Sequence, residues 1–535
     1  MIVTIGLVEH PRLELIDKEG KNWTSSINHG SLTSKEALGG TLFDAGYDVK
    51  LFNLLPGDLR IPFGEVLWNG HVLTKTTLGG DWRLLYGDDC DVWGLTSNFQ
   101  MEREVVTTII QHIKNQNAHV PIVVGGSDAF ARPDVYIEAG ATVVVLDKSG
   151  GSNRAAIEYA LQGKTNHPCD LYTKKDGRVR QGSPRMSPND WPTPPLSFVK
   201  ETVGHHHWRE SFPKEFMPMT SIMFDHGCDR KCNFCLTPQY KLGYQYMSSE
   251  RFREWLVLQK LAGARSVNCS SDQFLGRILY EGKNPDGRKE IAGIIQAFKD
   301  LELNWMWRNG LELTKATYGR GLPKNKSNPN TSDPDLELVH LLWGWKKGSA
   351  GCVQAYIPAE RPVEGIRERY PKLLSWQHHV KMMKAIVAAG VPDITYGLII
   401  GLPEDSHESF ARLFDAVWEL REELYSVNPE LRFSVTPNAI MTFDGTPLTA
   451  ELIKRGLRER SVDSALINKW TPIVNTEHIS SKDVAVWQGV FYRNFRVGKG
   501  RRGVTAFDSE DVSAEESLLP QEFRQYEIRR VSRVI

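Results

Sequence analysis

The chain has 535 residues, of which 41% are hydrophobic and 24% are charged, and its formal net charge is +0. This is the composition of a folded globular protein with room for about two to four cores, and it argues against disorder. A neutral chain gives no electrostatic support for a nucleic-acid or membrane-surface partner, since either would require a basic excess.

Targeting and redox features indicate a cytoplasmic protein. No run of about eighteen apolar residues is present, so no transmembrane helix and no membrane partner are expected. The opening stretch MIVTIGLVEHP lacks a basic region and a full hydrophobic region, which argues against a signal peptide. The chain has 7 cysteines, an odd number, and three of them are grouped in one motif. We therefore predict reduced thiols in the cytoplasm.

Residues 1–165 alternate short apolar runs with helical stretches. Strands are predicted at residues 2–8, 49–53, 91–95, 122–124 and 142–146, and helices at residues 32–45, 103–116 and 133–139. This alternation is typical of an α/β fold with a Rossmann-like, doubly wound parallel sheet. Ligands of such sheets bind at the carboxyl ends of the strands. Small residues at those ends let a large cofactor approach the backbone, and they are Thr96, Ser97, Gly125, Gly126, Ser127 and residues 149–151.

Residues 166–220 are rich in proline and polar residues, above all the stretch SPNDWPTPP at 187–195. Proline removes a backbone donor and biases its predecessor away from helix. We therefore predict an ordered linker here.

Residues 221–446 show a second strand–helix alternation. Strands are predicted at residues 221–224, 266–269, 304–308, 352–356, 395–400 and 432–436, and helices at residues 249–262, 288–299, 334–343, 376–389 and 406–423. If the strands form a barrel, its active site lies at their carboxyl ends. The polar stretch 319–333 has no periodicity, which indicates a lid or an insertion.

Residues 447–535 lack this repeat and are predicted to form a small, mostly helical domain that closes the mouth of the second unit against water. The stretch 484–496 is amphipathic and rich in aromatic residues. Aromatic residues at helical spacing are more often core than ligand platform. The basic stretch 498–503 and the arginines at 529 and 530 are interpreted as a solvated tail.

Three cysteines follow the apolar run 221–224 in the pattern C-x3-C-x2-C, at Cys228, Cys232 and Cys235. Three thiolates this close cannot all pair as disulfides, but they can converge on one iron–sulfur cluster and leave one iron open. The alternatives are three structural thiols, or a zinc site in which His226 is the fourth ligand.

The cysteine spacing, with Phe234 just before the third cysteine, resembles the radical S-adenosylmethionine (SAM) signature. The resemblance implies a [4Fe-4S] cluster whose open iron is chelated by the amino and carboxylate groups of SAM, with Phe234 near the adenine. It also implies a partial (β/α)6 barrel for residues 221–446, a small-molecule substrate, and a low-potential electron donor such as a flavodoxin or ferredoxin.

Residues 1–165 resemble the cobalamin-binding domain that precedes many radical SAM barrels, through the stretches DVWGLTS and PIVVGGSDAFARPD. The resemblance implies that the small residues at the strand ends hold the nucleotide tail of cobalamin. The D-x-H-x-x-G motif of other cobalamin domains is absent, as it usually is in radical SAM members. The alternative is a Rossmann-like domain that has lost its cofactor.

The barrel strands are followed by further groups that resemble family motifs. Asp272 lies in SSDQF, which is similar to D-D-N-F, and Gly401 lies in GLIIGLPED, which is similar to G-x-P-x-(D/E)-(T/S). Arg308 and Asn438 follow the third and sixth strands. All four are predicted to line the SAM site. Structural alternatives are a surface ion pair for Arg308 and a helix cap for Asp272.

The fourth barrel strand leads into YIPAE, which is similar to the family element G-x-E-S. Glu360 is therefore expected to bind the amine or ribose of SAM, although it can equally cap a helix. Tyr356 and Glu360 are the nearest candidates for catalytic groups.

The resemblance as a whole implies a cobalamin-dependent radical SAM enzyme, in its commonest form a C-methyltransferase acting on a small natural product or metabolite. The cofactors would then carry the chemistry, while the protein orients and shields it. A first alternative is an enzyme of the same architecture that catalyses cyclisation, ring contraction, dehydration or deoxygenation. A second is a non-catalytic corrinoid- or metal-binding protein.

Overall fold

A computed structural model of the chain describes residues 2–24, 32–207, 212–278, 286–318, 332–363, 373–495 and 518–528. Most of the predicted lid or insertion at 319–333 and the basic stretches at 498–503 and 529–530 lie outside the described residues. Within the described ranges, none of the helices combines the length and apolar character that crossing a membrane requires.

The described residues of the N-terminal part form ten strands and five helices. The strands are β1 Thr4–Glu9, β2 Arg12–Ile16, β3 Asp48–Asn53, β4 Leu59–Trp68, β5 His71–Gly79, β6 Val92–Thr96, β7 Ile122–Gly125, β8 Val143–Val145, β9 Cys169–Thr173 and β10 Gly177–Gln181. The helices are α1 Thr33–Asp44, α2 Arg103–Gln116, α3 Ser127–Ala131, α4 Pro133–Ala139 and α5 Asn153–Gln162.

The main sheet of this part is 7-stranded, in the order β10-β9-β8-β7-β6-β1-β3. The pairs from β3 to β8 are parallel, and β9 and β10 are added antiparallel at one edge. The parallel strands thus follow the doubly wound order 2-1-3-4-5, whose ligand crevice opens beside β1. The prediction of a doubly wound parallel sheet is confirmed.

The interior strands and helices of this sheet are apolar where they face the core. All five residues of β6 are buried. Five apolar residues of α2 lie on one face at helical spacing and are at most 1% exposed: Val105, Val106, Ile109, Ile110 and Ile113. Burial of this stripe against the sheet is what stabilises the helix.

The sequence analysis differs from the structure at two places in this part. No strand is predicted at residues 9–30 and 56–90, but the described residues of these stretches contain a 3-stranded antiparallel sheet in the order β2-β5-β4. Pro62 and Gly64 are unusual residues for a strand. They flank the point at which the register between β4 and β5 shifts. The predicted linker at 166–220 is also too long, since β9 and β10 belong to the main sheet.

Where the structure describes it, the second α/β unit contains six long strands and five helices. The strands are β11 Met219–Met223, β14 Ser266–Ser270, β15 Asn304–Trp307, β16 Cys352–Glu360, β17 Asp393–Ile400 and β18 Arg432–Ala439, and β12 Asp225–His226 and β13 Gln245–Tyr246 form a short hairpin. After α6 Leu196–Glu201 in the linker, the helices are α7 Ser249–Leu261, α8 Gly287–Asp300, α9 Leu336–Trp343, α10 Trp376–Ala388 and α11 His407–Val427.

These six strands form one parallel sheet in chain order, β11-β14-β15-β16-β17-β18. No pairing between β11 and β18 closes the sheet among the described residues. This is the connectivity predicted for a partial (β/α)6 barrel. All six strands therefore bring their carboxyl ends to the same side.

The C-terminal part adds α12 Pro447–Lys454, α13 Ser481–Asn494 and α14 Arg524–Ile528. In α13, Trp487 and Phe491 are fully buried and pack near Phe410 and Phe414 of α11. The prediction that these aromatic residues are core is confirmed for the described residues. They join the apolar core of the barrel unit rather than forming a separate one.

Candidate active site

The cysteine motif lies in a loop whose two ends are joined. The loop follows β12, and its far end returns as β13, which pairs antiparallel with β12. Gly227 begins the loop with φ +81, and a Cβ atom there would lie 1.6 Å from the carbonyl oxygen of Gly243. Only glycine fits this close contact. The hairpin and the glycine contact together close the loop around the cysteines.

Among the described residues, Cys228, Cys232 and Cys235 form no disulfide. The backbone N–H of Arg230 lies 3.4 Å from Cys228 Sγ, and the amide of Gln273 lies 3.7 Å from the same sulfur. Donors directed at a sulfur stabilise the thiolate form and tune the potential of a bound cluster. Three thiols on one closed loop, with such donors beside one of them, fit a cluster held by three cysteines.

The zinc alternative finds no support in the described residues. No three His, Cys, Asp or Glu side chains among them are arranged to hold one metal ion. The Nε2 of His226 donates to the carbonyl oxygen of Met186 at 3.2 Å. Burial lowers the pKa of this histidine. A four-iron cubane gives each cysteine its own iron, so it does not require the thiols to converge on a single ion.

A buried ionic network beside the cysteine loop was not predicted from the sequence. Glu312 accepts from the guanidinium of Arg230 and, at 2.7 Å, from the amide of Gln273. Lys315 lies 2.6 Å from Asp229 and 3.5 Å from Glu312. Burial alone would raise the pKa of Glu312, but Arg230 and Lys315 hold it below its usual value. The sequence feature that could have indicated this network is the pair of charged residues between the first two cysteines, at positions 229 and 230.

Asp272 anchors the start of the cysteine loop. Its Oδ2 accepts from the Gly227 N–H at 2.8 Å, and its own N–H donates to Asp225 at 2.9 Å. Burial, and then the charge of Asp225, raises the pKa of Asp272 to about 6. Asp225 is itself fully buried and lies 3.3 Å from the guanidinium of Arg277. Asp272 therefore touches the loop that carries the thiols, and its assignment to SAM stays a prediction.

Phe234 and Gly401 meet at one apolar cluster. Phe234 packs against the group of buried side chains that includes Leu402 and Ile440. A Cβ atom on Gly401 would lie 3.7 Å from Ile440 and 3.4 Å from Val484. The cysteine loop and the end of β17 thus share one packed surface. This is the arrangement expected if both line a common adenine site.

The turn at Gly401 is held by Asp405. Its Oδ2 accepts from the N–H groups of Gly401 and Leu402, at 2.8 and 3.0 Å. Its Oδ1 lies 2.5 Å from Arg361, and both side chains are almost fully buried. Asp405 therefore fixes the backbone that would approach a cofactor.

The side chain of Tyr356, on β16, reaches across the neighbouring strand β17. A Cβ atom on Gly397 of β17 would lie 1.9 Å from the Tyr356 hydroxyl oxygen, so only glycine leaves room for this ring. The amide of Asn438 on β18 donates to the same oxygen at 3.2 Å. The Oδ1 of Asn438 is buried and has no hydrogen-bond partner in the described part of the chain. The predicted site residues Tyr356 and Asn438 are therefore in contact, and the buried Oδ1 of Asn438 is an acceptor that a ligand could use.

Glu360 ends β16 in a strained conformation. Its φ is +58, which is unusual for a residue other than glycine, and its side chain is buried. The register between β16 and β17 shifts between Pro358 and Glu360. Such strain persists where the surroundings hold it, and it is concentrated at functional sites.

Arg308 is half-buried at the carboxyl end of β15. Its N–H donates to Asn268 at 3.4 Å, and its guanidinium lies 3.9 Å from the sulfur of Met219. The side chain therefore extends toward Met219, which is fully buried. Trp305 and Trp307 both donate to the carbonyl oxygen of Leu342 at 2.8 Å and are 1% exposed, so they belong to the core.

A cleft that is partly open to solvent lies at the carboxyl ends of the N-terminal parallel strands. Thr96, Gly125 and Gly126 line it, as predicted. A Cβ atom on Gly125 would meet no atom within 4 Å, so this glycine faces open space. The walls are mostly apolar, and they include Ile5, Leu7, Leu38, Leu42, Val123, Val145, Ala156 and Ile157. Apolar walls of this kind are typical of sites that bind an apolar group.

Ser149 and Gly150 line the cleft as well, whereas Ser97 and Ser127 do not. A side chain on Gly126, whose φ is +109, would strike the carbonyl oxygen of Ser97 at 2.1 Å. Ser97 is fully buried, and its Oγ lies 2.7 Å from the Tyr136 hydroxyl. Ser127 begins α3 and hydrogen-bonds Tyr240 in the cysteine loop. Ser97 and Ser127 therefore position the cleft rather than line it.

The cleft and the cysteine loop meet at one junction. Lys148 lines the cleft, and its ammonium lies 5.4 Å from the ring of Tyr240. Phe130 packs edge-on against the same ring, with centroids 5.0 Å apart. Burial lowers the pKa of Lys148 to about 8, although the charges of Asp272 and Asp147 oppose the shift.

The linker forms part of this junction. Trp191 and Met186 donate to Ser149, at 2.9 and 3.0 Å, and Trp191 also lines the cleft. Arg185 donates to the carbonyl oxygen of Lys241 in the cysteine loop at 2.8 Å. The same short segment thus contacts both predicted cofactor sites.

No protein family model matches the chain. Over 225 residues it is 24% identical to the tRNA-2-methylthio-N(6)-dimethylallyladenosine synthase of Ruegeria pomeroyi, a match that covers 41% of this chain and 44% of the relative. The synthase of the same name from Ruegeria sp. strain TM1040 is 23% identical over 226 residues, with the same coverage of both chains. The chain therefore spans less than half the length of these curated relatives.

Solved structures resemble the chain over most of its length. The radical SAM methyltransferase TsrM from Kitasatospora setae, with cobalamin and a [4Fe-4S] cluster bound, has a TM-score of 0.56 at 14% identity and covers 86% of this chain and 80% of its own. A second TsrM structure, with tryptophan substrate and the SAM analogue aza-SAM, has a TM-score of 0.54 at 14% identity, covering 86% and 77%.

The cobalamin-dependent SAM radical enzyme OxsB, with aqua-cobalamin bound, has a TM-score of 0.60 at 15% identity. It covers 91% of this chain and 66% of its own. The chain therefore has the fold of the cobalamin-dependent radical SAM enzymes. Within that class, TsrM and OxsB are proteins to which its architecture is similar, and both bind cobalamin.

Proposed function

We propose that the protein is a cobalamin-dependent radical SAM enzyme that transfers a methyl group to carbon in a small natural product or metabolite. The observation that carries the proposal is the junction of two sites, a cleft at the N-terminal strand ends and a three-cysteine loop at the barrel mouth, through Lys148 and Tyr240. Similar structures bind cobalamin and a [4Fe-4S] cluster.

The residues present fit these cofactors. Cys228, Cys232 and Cys235 would hold the cluster, and the apolar cleft beside Thr96 and Gly125 would receive the nucleotide tail of cobalamin. When bound, the cofactors supply one-electron cleavage of SAM and a transferable methyl group. A low-potential flavodoxin or ferredoxin is the proposed electron donor.

The remaining site residues bind and orient. Phe234 and the Gly401 turn form the apolar surface proposed for adenine, and buried Glu360 is the proposed acceptor for the amine or ribose. Asn438 donates to the hydroxyl of Tyr356, which is proposed as a catalytic group together with Glu360. Glu360 and Gly401 are buried, and a closed barrel mouth would exclude water from the reacting carbon.

The experiment is cofactor uptake followed by turnover. Anaerobically reconstituted protein is expected to bind about four irons and, in dialysis against hydroxocobalamin, about one cobalamin in the base-off form. Gly125→Phe places a ring in the open cleft and should abolish cobalamin uptake while iron content is kept. Leu161→Phe, on the exposed end of α5, is the matched control and should bind normally.

A second candidate is a radical SAM reaction without methyl transfer, such as cyclisation, ring contraction, dehydration or deoxygenation. The specific observation is that OxsB, a cobalamin-dependent SAM radical enzyme, covers 91% of this chain, whereas the methyltransferase TsrM covers 86%. Formation of 5′-deoxyadenosine by protein that takes up no cobalamin would reject the methyltransferase and favour this candidate. A protein that forms no 5′-deoxyadenosine after reduction would contradict both.

A further inference from the structure

The side-chain amide of Gln273 lies between the cysteine loop and the buried ionic network beside it. Its Nε2 donates to Glu312 Oε2 at 2.7 Å and lies 3.7 Å from Cys228 Sγ, and the residue is 8% exposed. A carboxylate and a sulfur both face this end of the amide, and both are acceptors. The end that faces them is therefore the NH2 group, and each of its N–H groups has an acceptor of its own.

The backbone of Gln273 is fixed by Asp225. The Oδ1 of this carboxylate accepts from the N–H groups of Asp272 and Gln273, at 2.9 and 3.5 Å. Asp225 is in turn held by the guanidinium of Arg277 at 3.3 Å, and both side chains are fully buried. The position from which the Gln273 side chain starts is thus set by a buried ion pair.

The amide group of Gln273 is oriented by Glu312. The carboxylate of Glu312 also accepts from Arg230 at 3.1 Å and from Thr314 at 2.5 Å, and the residue is 6% exposed. A carboxylate held by several donors stays in one position, so it holds the Gln273 amide in one position as well. Glu312 therefore directs the second N–H of that amide at the Cys228 sulfur.

The charges of this network balance one another. Asp229 and Glu312 carry two negative charges, and they face the two positive charges of Arg230 and Lys315. These four groups together add no net charge beside Cys228. The local effect that remains is that of N–H groups directed at the sulfur.

Two such donors reach Cys228, and they differ in origin. The N–H of Arg230, at 3.4 Å, belongs to the backbone of the loop and is present with any side chain at that position. The donor at 3.7 Å exists only because residue 273 is glutamine. One-electron reduction of a bound cluster increases the negative charge on its thiolates, so such a donor stabilises the reduced form more than the oxidised form.

We propose that Gln273 is a positioning residue of the cluster site, which donates to the Cys228 thiolate and raises the reduction potential of the bound cluster. The inference rests on the proposed function, since it requires a cluster on the three cysteines. Its consequence is that a low-potential electron donor reduces the cluster more completely before SAM is cleaved.

A potentiometric titration followed by paramagnetic resonance, on reconstituted full-length protein without SAM, tests the proposal. Gln273→Met keeps the length of the side chain and removes both donors. The equilibrium constant for reduction is expected to fall about tenfold, which lowers the potential of this one-electron couple by ~59 mV. Gln239→Met is the matched control, because Gln239 is a half-buried residue of the same loop whose side chain donates to no sulfur in the described part of the chain. Its potential should equal that of the wild type.

Iron content is measured beside the potential and separates tuning from support. A Gln273→Met protein that loses iron while its remaining cluster keeps the wild-type potential would show a structural role and overturn the proposal, as would an unchanged or raised potential at full iron content. If this variant holds no iron, Gln273→Asn, which withdraws the amide from the sulfur, replaces it and should show the same fall. Absence of iron from both variants would also overturn the tuning role. A wild-type protein that holds no cluster would instead overturn the proposed function itself.

Discussion

Glu36 joins the N-terminal part to the barrel through a buried carboxyl group. It lies on α1 and is 1% exposed, with Thr202 Oγ1 at 2.5 Å and the amide of Gln259, on α7, at 2.7 Å. Thr202 Oγ1 also lies 2.8 Å from the carbonyl oxygen of Val199. One hydroxyl proton cannot serve both oxygens, so the network is complete when Glu36 is protonated and donates to Thr202.

The magnitude follows from the pKa of this group. Burial raises the pKa of Glu36 from 4.5 to about 7. Below pH 4.5 the carboxyl group is protonated in both the folded and the unfolded chain, so the pH has no effect through this group. Between pH 4.5 and 7 the unfolded chain ionises first, and the free energy of unfolding falls as the pH rises. The full loss, at about 1.4 kcal/mol per pKa unit, is about 3 kcal/mol above pH 7.

Glu36→Gln is expected to remove this loss, because the amide donates to Thr202 and accepts from Gln259 at any pH. The variant should be more stable than the wild type by about 3 kcal/mol at pH 8 and by under about 1 kcal/mol at pH 5. Urea unfolding followed by tryptophan fluorescence at the two pH values measures the difference. Glu138→Gln, an exposed carboxylate on α4, is the control and should change neither value. A Glu36→Gln protein that loses stability at pH 8 would refute the protonated network.

Three further changes test the site and its support. Gly227→Ala should abolish iron binding, since its Cβ would lie 1.6 Å from a carbonyl oxygen, whereas Gly263→Ala, with a similar positive φ but open space, should keep its iron. Retention of iron by the first variant would contradict the closed loop. Cys269→Ser should leave the iron content unchanged, because this thiol is buried in the barrel core. Trp487→Ala should destabilise the protein by about 3–5 kcal/mol in urea unfolding, and a loss under about 1 kcal/mol would show that α13 is not part of the barrel core.

The sequence predicted the parallel architecture because its apolar runs are short, buried and regularly spaced. The helix predicted at residues 103–116 is observed as α2 Arg103–Gln116. Its apolar residues recur at helical spacing and lie opposite a polar face, which is the pattern of a helix packed on a core. The six barrel strands were predicted within a few residues for the same reason. The cysteine loop was predicted because local spacing alone specifies it.

Features that depend on distant contacts were not predictable. β4 contains Pro62 and Gly64, which favour a loop locally, and it forms only because β5 pairs with it across a register shift. Glu312 is an ordinary charged residue in the sequence, and only the fold brings it to Arg230. Ser97 and Ser127 were assigned to the cofactor because they follow strands, but the backbone turns them away from the cleft.

The segment from Pro184 to Trp191 has a consequence for recombining these domains. A Cβ atom on Gly151 would lie 1.5 Å from the carbonyl oxygen of Pro184, and His226 binds the carbonyl oxygen of Met186. The peptide is thus fitted on one side to the N-terminal sheet and on the other to the start of the cysteine loop. A chimera that exchanges the N-terminal part alone would pair this segment with an N-terminal sheet to which it is not fitted. The exchangeable unit has to include this segment together with residues 149–151, so the chain should be cut before β1 or after α6 rather than between the two sites.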